Sequence, residues 1–206
     1  DCSQRGSFLI FLLTINCCYK YNIFVCLCYI FITMRQILII GAGRSASSLI
    51  QYLLNKSVVE NLHLVIGDIS LDLAQKKTNN HPNATAIALD IFNANQRKAA
   101  IQSADIVISM LPAHMHIEVA RDCVSCKKSL VTASYVSDAM QELDAAAKEN
   151  NLIFMNEIGL DPGIDHMSAM KVIDEIKERG GKMLLFESFC GGLVAPESDT
   201  NRWNYK

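Results

Sequence analysis

The sequence has almost no excess of either charge, since 19 Lys and Arg residues stand against 21 Asp and Glu residues and leave a net charge of −2 at pH 7. Binding to duplex nucleic acid depends on clustered cations that neutralise phosphates, so the composition argues against a nucleic-acid partner. Charged residues make up only 19% of the chain, yet 50% is hydrophobic and both signs are present. That balance is typical of a globular protein and excludes disorder as a general description.

Cysteine is scarce beyond residue 33, where only Cys123, Cys126 and Cys190 occur. So few cysteines cannot form a disulfide framework, and we therefore expect a reducing compartment, the cytoplasm. Cys123 and Cys126 have the spacing of a redox or zinc motif, but no second CxxC pair accompanies them, and we interpret them as ordinary helix residues. His114 and His116 would point to different faces of a helix, so we predict no metal site.

Charge is nearly absent from residues 8–33, a largely apolar run in which Lys20 is the only charged residue. The run is long enough to cross a bilayer, which takes about 20 apolar residues. A lysine near its middle, however, costs about 2.5–3.5 kcal/mol on insertion scales, and Met34 comes immediately before a strand that opens a self-contained domain. We therefore interpret residues 1–33 as a hydrophobic leader that is translated upstream sequence or another artefact, with a membrane anchor as the alternative. A membrane partner is expected only if this leader is genuine.

Strand-like apolar runs alternate with helix-like stretches over residues 34–156. The predicted strands cover 36–40, 62–67, 84–89, 105–111, 129–132 and 152–155. The predicted helices cover 45–55, 71–79, 95–102, 114–126 and 137–150. Strands separated by single helices with short links pair in parallel through right-handed crossovers. The pattern therefore predicts an α/β fold, a Rossmann-type doubly wound parallel sheet.

The composition changes after Asn156, where turn formers and acidic residues become frequent. A helix is predicted over 164–179, ended by a Gly-Gly pair, and a strand over 182–190. The chain stops at Lys206 without a finished element. We interpret residues 157–206 as the beginning of a truncated second domain.

A glycine-rich segment with the pattern GxGxxA follows the first predicted strand and opens the first predicted helix. This is the Ala-ending form of the dinucleotide-binding fingerprint. Gly41 permits a tight turn, Gly43 lets the backbone approach a pyrophosphate, and Ala46 lets the helix pack closely on the strand. The pyrophosphate would be bound by N–H groups at the helix start, beside Arg44 and Ser45. We predict a dinucleotide site here, with a merely tight structural turn as the alternative.

Residues at the ends of later strands complete the expected cofactor site. Asp68 ends the second strand, where an acid accepts hydrogen bonds from a ribose 2′-OH and repels a 2′-phosphate, so NAD is the preferred cofactor. The arginine of the glycine-rich segment could still stabilise a phosphate, which leaves NADP open, and Asp68 could also cap the following helix. Asp90 ends the third strand and either contacts adenine or is a solvated loop acid. Ser109, Leu111 and Pro112 end the fourth strand, near the expected nicotinamide ribose.

Three further segments have distinctive sequences, namely TASYVSD at 132–138, NEIGLDPGIDHM at 156–167 and FCGGLVAPE at 189–197. Together with GxGxxA they resemble the saccharopine dehydrogenase family, most closely its L-glutamate-forming type. The resemblance implies that the second domain is the start of an α+β substrate domain. It also implies an NAD(P)-dependent oxidoreductase of lysine metabolism that acts on the CH–NH bond of saccharopine and yields glutamate and 2-aminoadipate semialdehyde. A dehydrogenase of another carboxyalkyl amine, such as carboxynorspermidine, and a non-catalytic dinucleotide-binding protein are the alternatives.

The same resemblance implies that Tyr135, Asp161 and Cys190 contact saccharopine, the expected small-molecule partner. Oxidation of a secondary amine needs groups that accept protons from the amine and from the attacking water, so Asp161 is the first candidate for binding or polarising the amine. Glu157, Asp165 and His166 are neighbouring candidates for the same role. By itself, the Asp-Pro-Gly sequence at 161 would be read as a turn. A homodimer is left open beside a monomer.

Two residues depart from the family pattern. Asp68 stands where the resemblance to fungal members would suggest a residue that favours NADP, which puts the cofactor of the fungal members in doubt for this chain. Val194 replaces the proline usual in the third segment, which is a conservative change at that position.

Overall fold

The computed structural model describes residues 34–189 of the 206-residue chain. The strands, helices and hydrogen bonds described all lie within these residues. The hydrophobic leader, Cys190 and Val194 lie outside the described residues, so the interpretations that concern them stay predictions.

Six parallel strands form one sheet in the order β3-β2-β1-β4-β5-β6. They are β1 (Arg35–Ile40), β2 (Leu62–Asp68), β3 (Ala84–Ala88), β4 (Ile106–Ser109), β5 (Ser129–Thr132) and β6 (Phe154–Met155). The central strand β1 pairs with β2 on one side and with β4 on the other. Because the strand order reverses between β1 and β4, their carboxyl ends flank a crevice, which is where ligands bind in sheets of this type. The predicted doubly wound α/β sheet is confirmed.

Helices connect the strands. They are α1 (Ser47–Ser57), α2 (Leu71–Thr78), α3 (Ala94–Ser103), α4 (His116–Cys126), α5 (Asp138–Gln141), α6 (Asp144–Glu149) and α7 (Ile164–Glu178), with a 3₁₀ turn at Ala113–Met115 before α4. The starts of α2, α3 and α5 are capped by Ser70, Asn93 and Ser137, whose side chains accept backbone N–H groups. In contrast, α1 begins at the glycine-rich loop without a side-chain cap.

Two apolar clusters cover the two faces of the sheet. Ile39 of β1 belongs to the cluster that includes Ile50 of α1. Its neighbour Leu38 belongs to the other cluster, with Ile101 of α3 and Val119 of α4. Since both faces of β1 are buried, the strand is apolar without alternation, and each fully buried aliphatic side chain contributes about 1.5–3 kcal/mol.

A buried ion pair joins α3 to α4. Arg97 Nε donates to Asp122 Oδ2 at 2.6 Å, and the two side chains are only 7% and 8% exposed. The Arg97 guanidinium also donates to the carbonyl of Ile91. Buried charges are tolerated when they are paired and hydrogen-bonded, and this pair holds the helices of that face together.

Most elements differ from their predicted bounds by one or two residues, and two of the differences have a clear physical reason. The helix predicted over 137–150 is divided into α5 and α6, because the N–H of Leu143 bonds to the carbonyl of Met140, three residues back, and tightens the backbone there. The strand β4 ends at Ser109, two residues early. Its partner residue in β1 is Ile40, after which β1 turns into the glycine-rich loop and offers no further pairing.

The chain after β6 has a largely exposed apolar surface. No residue of α7 is fully buried, and its exposed apolar side chains are Ile164, Met167, Met170 and Val172. The strand predicted over 182–190 is wrong for the residues that the structure describes, since 182–189 have no regular structure and pair with no described strand. Within residues 34–189, no helix combines the length and the apolarity that a membrane span requires.

Candidate active site

The glycine-rich loop leaves the carboxyl end of β1 and passes close to the end of β4. Gly41 has a φ of +104°, and a Cβ at this position would lie 2.9 Å from the carbonyl oxygen of Met110. Its N–H bonds to the carbonyl of Gly67 in β2 at 2.8 Å. A glycine is therefore required here both by the backbone conformation and by the close approach of the neighbouring strand.

The glycine-rich loop has open space where the sequence predicts that a pyrophosphate binds. A Cβ on Gly43 would meet no protein atom within 4 Å, so the space beside this residue is open. Gly43, Arg44 and Ser45 are exposed, whereas Ala46 is fully buried against β1 and β2 residues. The uncapped start of α1 adds backbone N–H groups to this open edge, so the residues present fit a bound dinucleotide.

Asp68 links the glycine-rich loop to the loop after β2. Its Oδ2 accepts the N–H of Ala42 at 2.7 Å, and its Oδ1 accepts the N–H of Ser70 at 2.9 Å. The cap of α2 is Ser70, whose Oγ accepts the N–H of Leu73. The alternative role of Asp68 as a helix cap is therefore wrong, because its carboxylate orders two loops at the carboxyl edge instead. Its predicted contact with the ribose stays a prediction.

Some of the other residues predicted to bind the cofactor lie in exposed or half-buried loops, and others lie in the protein interior. Asp90 is half-buried and accepts the N–H of Phe92 at 2.9 Å, which orders the turn before α3. Pro112 is exposed, and Leu111 is partly buried against the core. Ser109 is 1% exposed with its hydroxyl directed into the protein. A cofactor contact by Ser109 would therefore have to be made by its main chain.

His116 lies in the first turn of α4 and is only 3% exposed. Its Nδ1 is 2.8 Å from Ser109 Oγ, and its Nε2 is 2.8 Å from Ser134 Oγ and 3.2 Å from Thr132 Oγ1. Burial, and then the nearby charge of His114, lower the pKa of His116. The imidazole is therefore neutral at physiological pH and connects the carboxyl ends of β4 and β5.

Sequence reasoning missed this network because it considered His116 only as a metal ligand. A usable signal was present, since polar Ser109 and Thr132 end two short strands whose central residues are apolar. The carboxyl ends of adjacent parallel strands meet at one edge of a sheet, so two such residues lie close together.

The structure brings together Tyr135 and Asp161, two of the residues predicted to contact the substrate. The hydroxyl of Tyr135, in the segment after β5, donates to Asp161 Oδ1 at 2.8 Å. Glu157, which follows β6, accepts the N–H of Val136 at 3.0 Å and holds the same segment. The Tyr135 side chain is 63% exposed, so the pair is open to a ligand.

The segment that carries Asp161 is a tight turn. The N–H of Gly159 donates to the carbonyl of Pro162 at 2.8 Å, and Gly163 has a φ of +148° with Gly159 O only 2.2 Å from the position of a Cβ. Asp165 accepts the N–H of Gly163 at 2.9 Å and bonds to His166 Nδ1 at 2.8 Å. The hydrogen bond to Asp165 raises the pKa of His166. The turn expected from the Asp-Pro-Gly sequence is thus formed, and it directs Asp161 toward the tyrosine.

The strand order, the glycine-rich loop and the uncapped start of α1 define a Rossmann-type dinucleotide-binding protein. The chain belongs to the saccharopine dehydrogenase family. The family model described as the saccharopine dehydrogenase NADP binding domain matches residues 37–155, and the model of the saccharopine dehydrogenase C-terminal domain matches residues 159–206.

The sequence and the structure are also similar to those of individual members of this family. The chain is 39% identical over 172 residues to the saccharopine dehydrogenase [NADP(+), L-glutamate-forming] of Pyricularia oryzae, an alignment that covers 84% of this chain and 37% of the relative. It is 34% identical over 175 residues to the mitochondrial alpha-aminoadipic semialdehyde synthase of Mus musculus, covering 84% of this chain and 18% of that protein. The solved apo structure of the L-Glu-forming saccharopine dehydrogenase of Saccharomyces cerevisiae superposes with a TM-score of 0.72 at 35% identity, over 84% of this chain and 38% of that one. This chain therefore spans well under half the length of these relatives.

The family and the relatives indicate which kind of cofactor is bound. Both the matching family model and the name of the fungal relative specify NADP. They support a nicotinamide dinucleotide as the ligand of the glycine-rich loop, but they give no support to the expected preference for NAD.

Proposed function

We propose that the protein to which this chain belongs is an L-glutamate-forming saccharopine dehydrogenase. The observation that carries the proposal is the Tyr135–Asp161 pair at the carboxyl edge of the dinucleotide-binding sheet. Tyr135 follows β5 and the glycine-rich loop follows β1, two strands away in the sheet. Two strand spacings amount to about 10 Å, so a nicotinamide lying over the end of β4 would face the pair.

The reaction removes a hydride and a proton from the lysyl Cε–N linkage of saccharopine, adds water to the resulting imine and separates glutamate from 2-aminoadipate semialdehyde. Bound NAD(P)+ supplies the hydride acceptor. The Asp161 carboxylate binds the substrate ammonium and accepts its proton, since an amine must be neutral before it can lose hydride. The Tyr135 hydroxyl keeps the carboxylate oriented. The exposed Asp161 then releases this proton to solvent. Its carboxylate next accepts a proton from the water that attacks the imine and returns it to the carbinolamine nitrogen, so that glutamate leaves.

The finer proposal is that NAD is preferred over NADP. Asp68 keeps a negative charge at the end of β2, where a 2′-phosphate would lie. Both of its oxygens are held by backbone N–H groups, so the carboxylate cannot swing away without losing them. The next residues, Ile69 and Ser70, offer no cation to offset that charge.

The test is an assay of the full-length gene product with saccharopine and either NAD or NADP. We expect absorbance at 340 nm to rise and glutamate to appear as the amino-acid product. Lysine as the product would overturn the L-glutamate-forming assignment. No reduction with either cofactor, in a folded protein that binds the dinucleotide, would overturn the activity altogether.

Two substitutions connect this activity to the pair. Asp161→Asn should lower kcat by about 10²-fold to 10⁴-fold, the usual contribution of a general acid or base, and Tyr135→Phe should lower it less. Asp174→Asn is the matched control, because Asp174 is an exposed acid on α7. Equal activity of Asp161→Asn and Asp174→Asn would contradict the role given to Asp161.

A further inference from the structure

We infer that His116 is a positioning residue that sets the Tyr135–Asp161 pair relative to the cofactor loop. The inference rests on the proposed function, because it concerns how that site is held. His116 itself cannot touch a substrate, since it is 3% exposed and hydroxyl groups occupy both ring nitrogens.

The cofactor side of the connection runs through the end of β4. His116 Nδ1 contacts Ser109 Oγ at 2.8 Å. The next residue, Met110, donates its N–H to the carbonyl of Ile40 at 2.8 Å, and its carbonyl faces Gly41. The position of the imidazole is therefore tied to the strand end against which the glycine-rich loop packs.

The substrate side runs through the end of β5. His116 Nε2 contacts Ser134 Oγ at 2.8 Å, and the carbonyl of Ser134 accepts the N–H of Glu157 at 3.1 Å. Ser134 directly precedes Tyr135, whose hydroxyl holds Asp161. The His116 side chain thus orders, through Ser134, both the segment that carries Tyr135 and the segment that carries Asp161.

The chemistry of a neutral imidazole suits this role. A neutral ring donates from one nitrogen and accepts at the other, and a serine hydroxyl can supply the complementary group on each side. Thr132 Oγ1, at 3.2 Å from Nε2 and 3.4 Å from the Ser134 N–H, completes the network. A buried network in which every group has a partner rigidifies the elements it joins.

Two conservative variants separate positioning from general stability. The amide of asparagine reaches the place of the imidazole Nδ1, so His116→Asn keeps a partner for Ser109 and loses the contact with Ser134. The amide of glutamine reaches the place of Nε2, so His116→Gln keeps the partner for Ser134. The variants are compared in the full-length gene product for kcat and KM with saccharopine, for dinucleotide Kd and for Tm.

We expect His116→Asn to lower kcat by about 10-fold to 100-fold, the scale of a small misplacement of reacting groups, with the dinucleotide Kd unchanged. His116→Gln should recover most of that loss. Ser134→Ala, which leaves the histidine in place, should resemble His116→Asn, and the double variant His116→Asn/Ser134→Ala should lose no more than either single one.

Four results would overturn the inference. These are an unchanged kcat in a folded His116→Asn variant, equal kcat losses in His116→Asn and His116→Gln, additive losses in the double variant, and an unchanged kcat in Ser134→Ala. The last decides the matter if His116→Asn fails to fold. Failure of the proposed function is distinct, because the wild-type protein itself would then not oxidise saccharopine, and the inference would fall with it.

Discussion

At the scale of single residues, Asp68 combines two tasks that substitution can separate. Its oxygens order the loops around Ala42 and Ser70, and its proposed second task is to disfavour a 2′-phosphate through its charge. Asp68→Asn removes the charge but retains one carbonyl oxygen for a loop N–H. We expect the ratio of the NADPH Kd to the NADH Kd to fall about tenfold, which corresponds to 1.4 kcal/mol.

The ratio of the two Kd values is the decisive quantity, because loop damage would weaken both cofactors equally. Fluorescence titration of the variant and the wild-type protein with NADH and NADPH measures it. Asp90→Asn is the control, since Asp90 orders a turn at the end of β3 in a similar way. An unchanged ratio in Asp68→Asn would show that the charge has no part in cofactor choice.

The titration of His116 predicts how stability depends on pH. The pKa of His116 is lowered in the folded protein from an ordinary value of 6.5. The unfolded chain therefore binds more protons below pH 6.5, and the free energy of unfolding falls as the pH drops from there toward the folded pKa. His116→Gln should make this decline shallower, as measured by urea unfolding at about pH 7.5 and pH 5.5.

His166 is a control for this pH dependence, because its pKa is shifted in the opposite direction. Its pKa is raised by its hydrogen bond to Asp165, so it stabilises the fold below its unfolded pKa and this contribution is lost as the pH rises. His166→Gln should therefore leave the acid-side decline in place. The same pH dependence in wild-type protein and His116→Gln would exclude His116 as its source.

At the scale of elements, the loop between β1 and α1 contains two glycines with different reasons for being glycine. Gly41→Ala adds a Cβ 2.9 Å from the Met110 carbonyl at a φ of +104°, and we expect it to lower the free energy of unfolding by about 1–3 kcal/mol. Gly43→Ala meets open space, so the free energy of unfolding should be unchanged or rise by about 0.4–1 kcal/mol.

The same pair of variants tests where the pyrophosphate binds. At the predicted site, the methyl group of Gly43→Ala would occupy the space that a pyrophosphate needs, so NADH binding should weaken about tenfold or more in a fully stable protein. Chemical unfolding and NADH titration of both variants provide the measurements. Normal NADH affinity in Gly43→Ala would place the dinucleotide elsewhere.

At the scale of the whole molecule, the described residues contain the glycine-rich loop of the predicted dinucleotide site and the Tyr135–Asp161 pair of the proposed substrate site. The segment that carries Asp161 also contributes the acids Glu157 and Asp165, whereas saccharopine carries three carboxylates that need cations. We therefore expect the 206-residue chain to bind NADH without oxidising saccharopine. Fluorescence titration and the assay at 340 nm, run beside the full-length gene product, check both parts, and turnover by the chain alone would contradict this expectation.

The sheet architecture could be predicted from the sequence because the patterns that indicate its strands and helices are local and recur along the chain. Apolar runs such as 36–40 report burial on both faces, single intervening helices force parallel pairing, and GxGxxA marks the turn between β1 and α1. Residues 182–189 show the limit of such signals. An apolar run forms a strand only when another strand is available to pair with it, and none of the described strands pairs with these residues.

By itself, the sequence determined the order of strands and helices, the glycine-rich loop and the family. Only the tertiary structure decided that Asp68 holds the loop at Ala42, that Tyr135 donates to Asp161, and that His116 joins Ser109 to Ser134. These contacts connect residues 7 to 26 positions apart across the carboxyl ends of neighbouring strands. The physical reason is that periodicity records which face of an element is buried, whereas hydrogen-bond partners depend on which strand ends the sheet brings side by side.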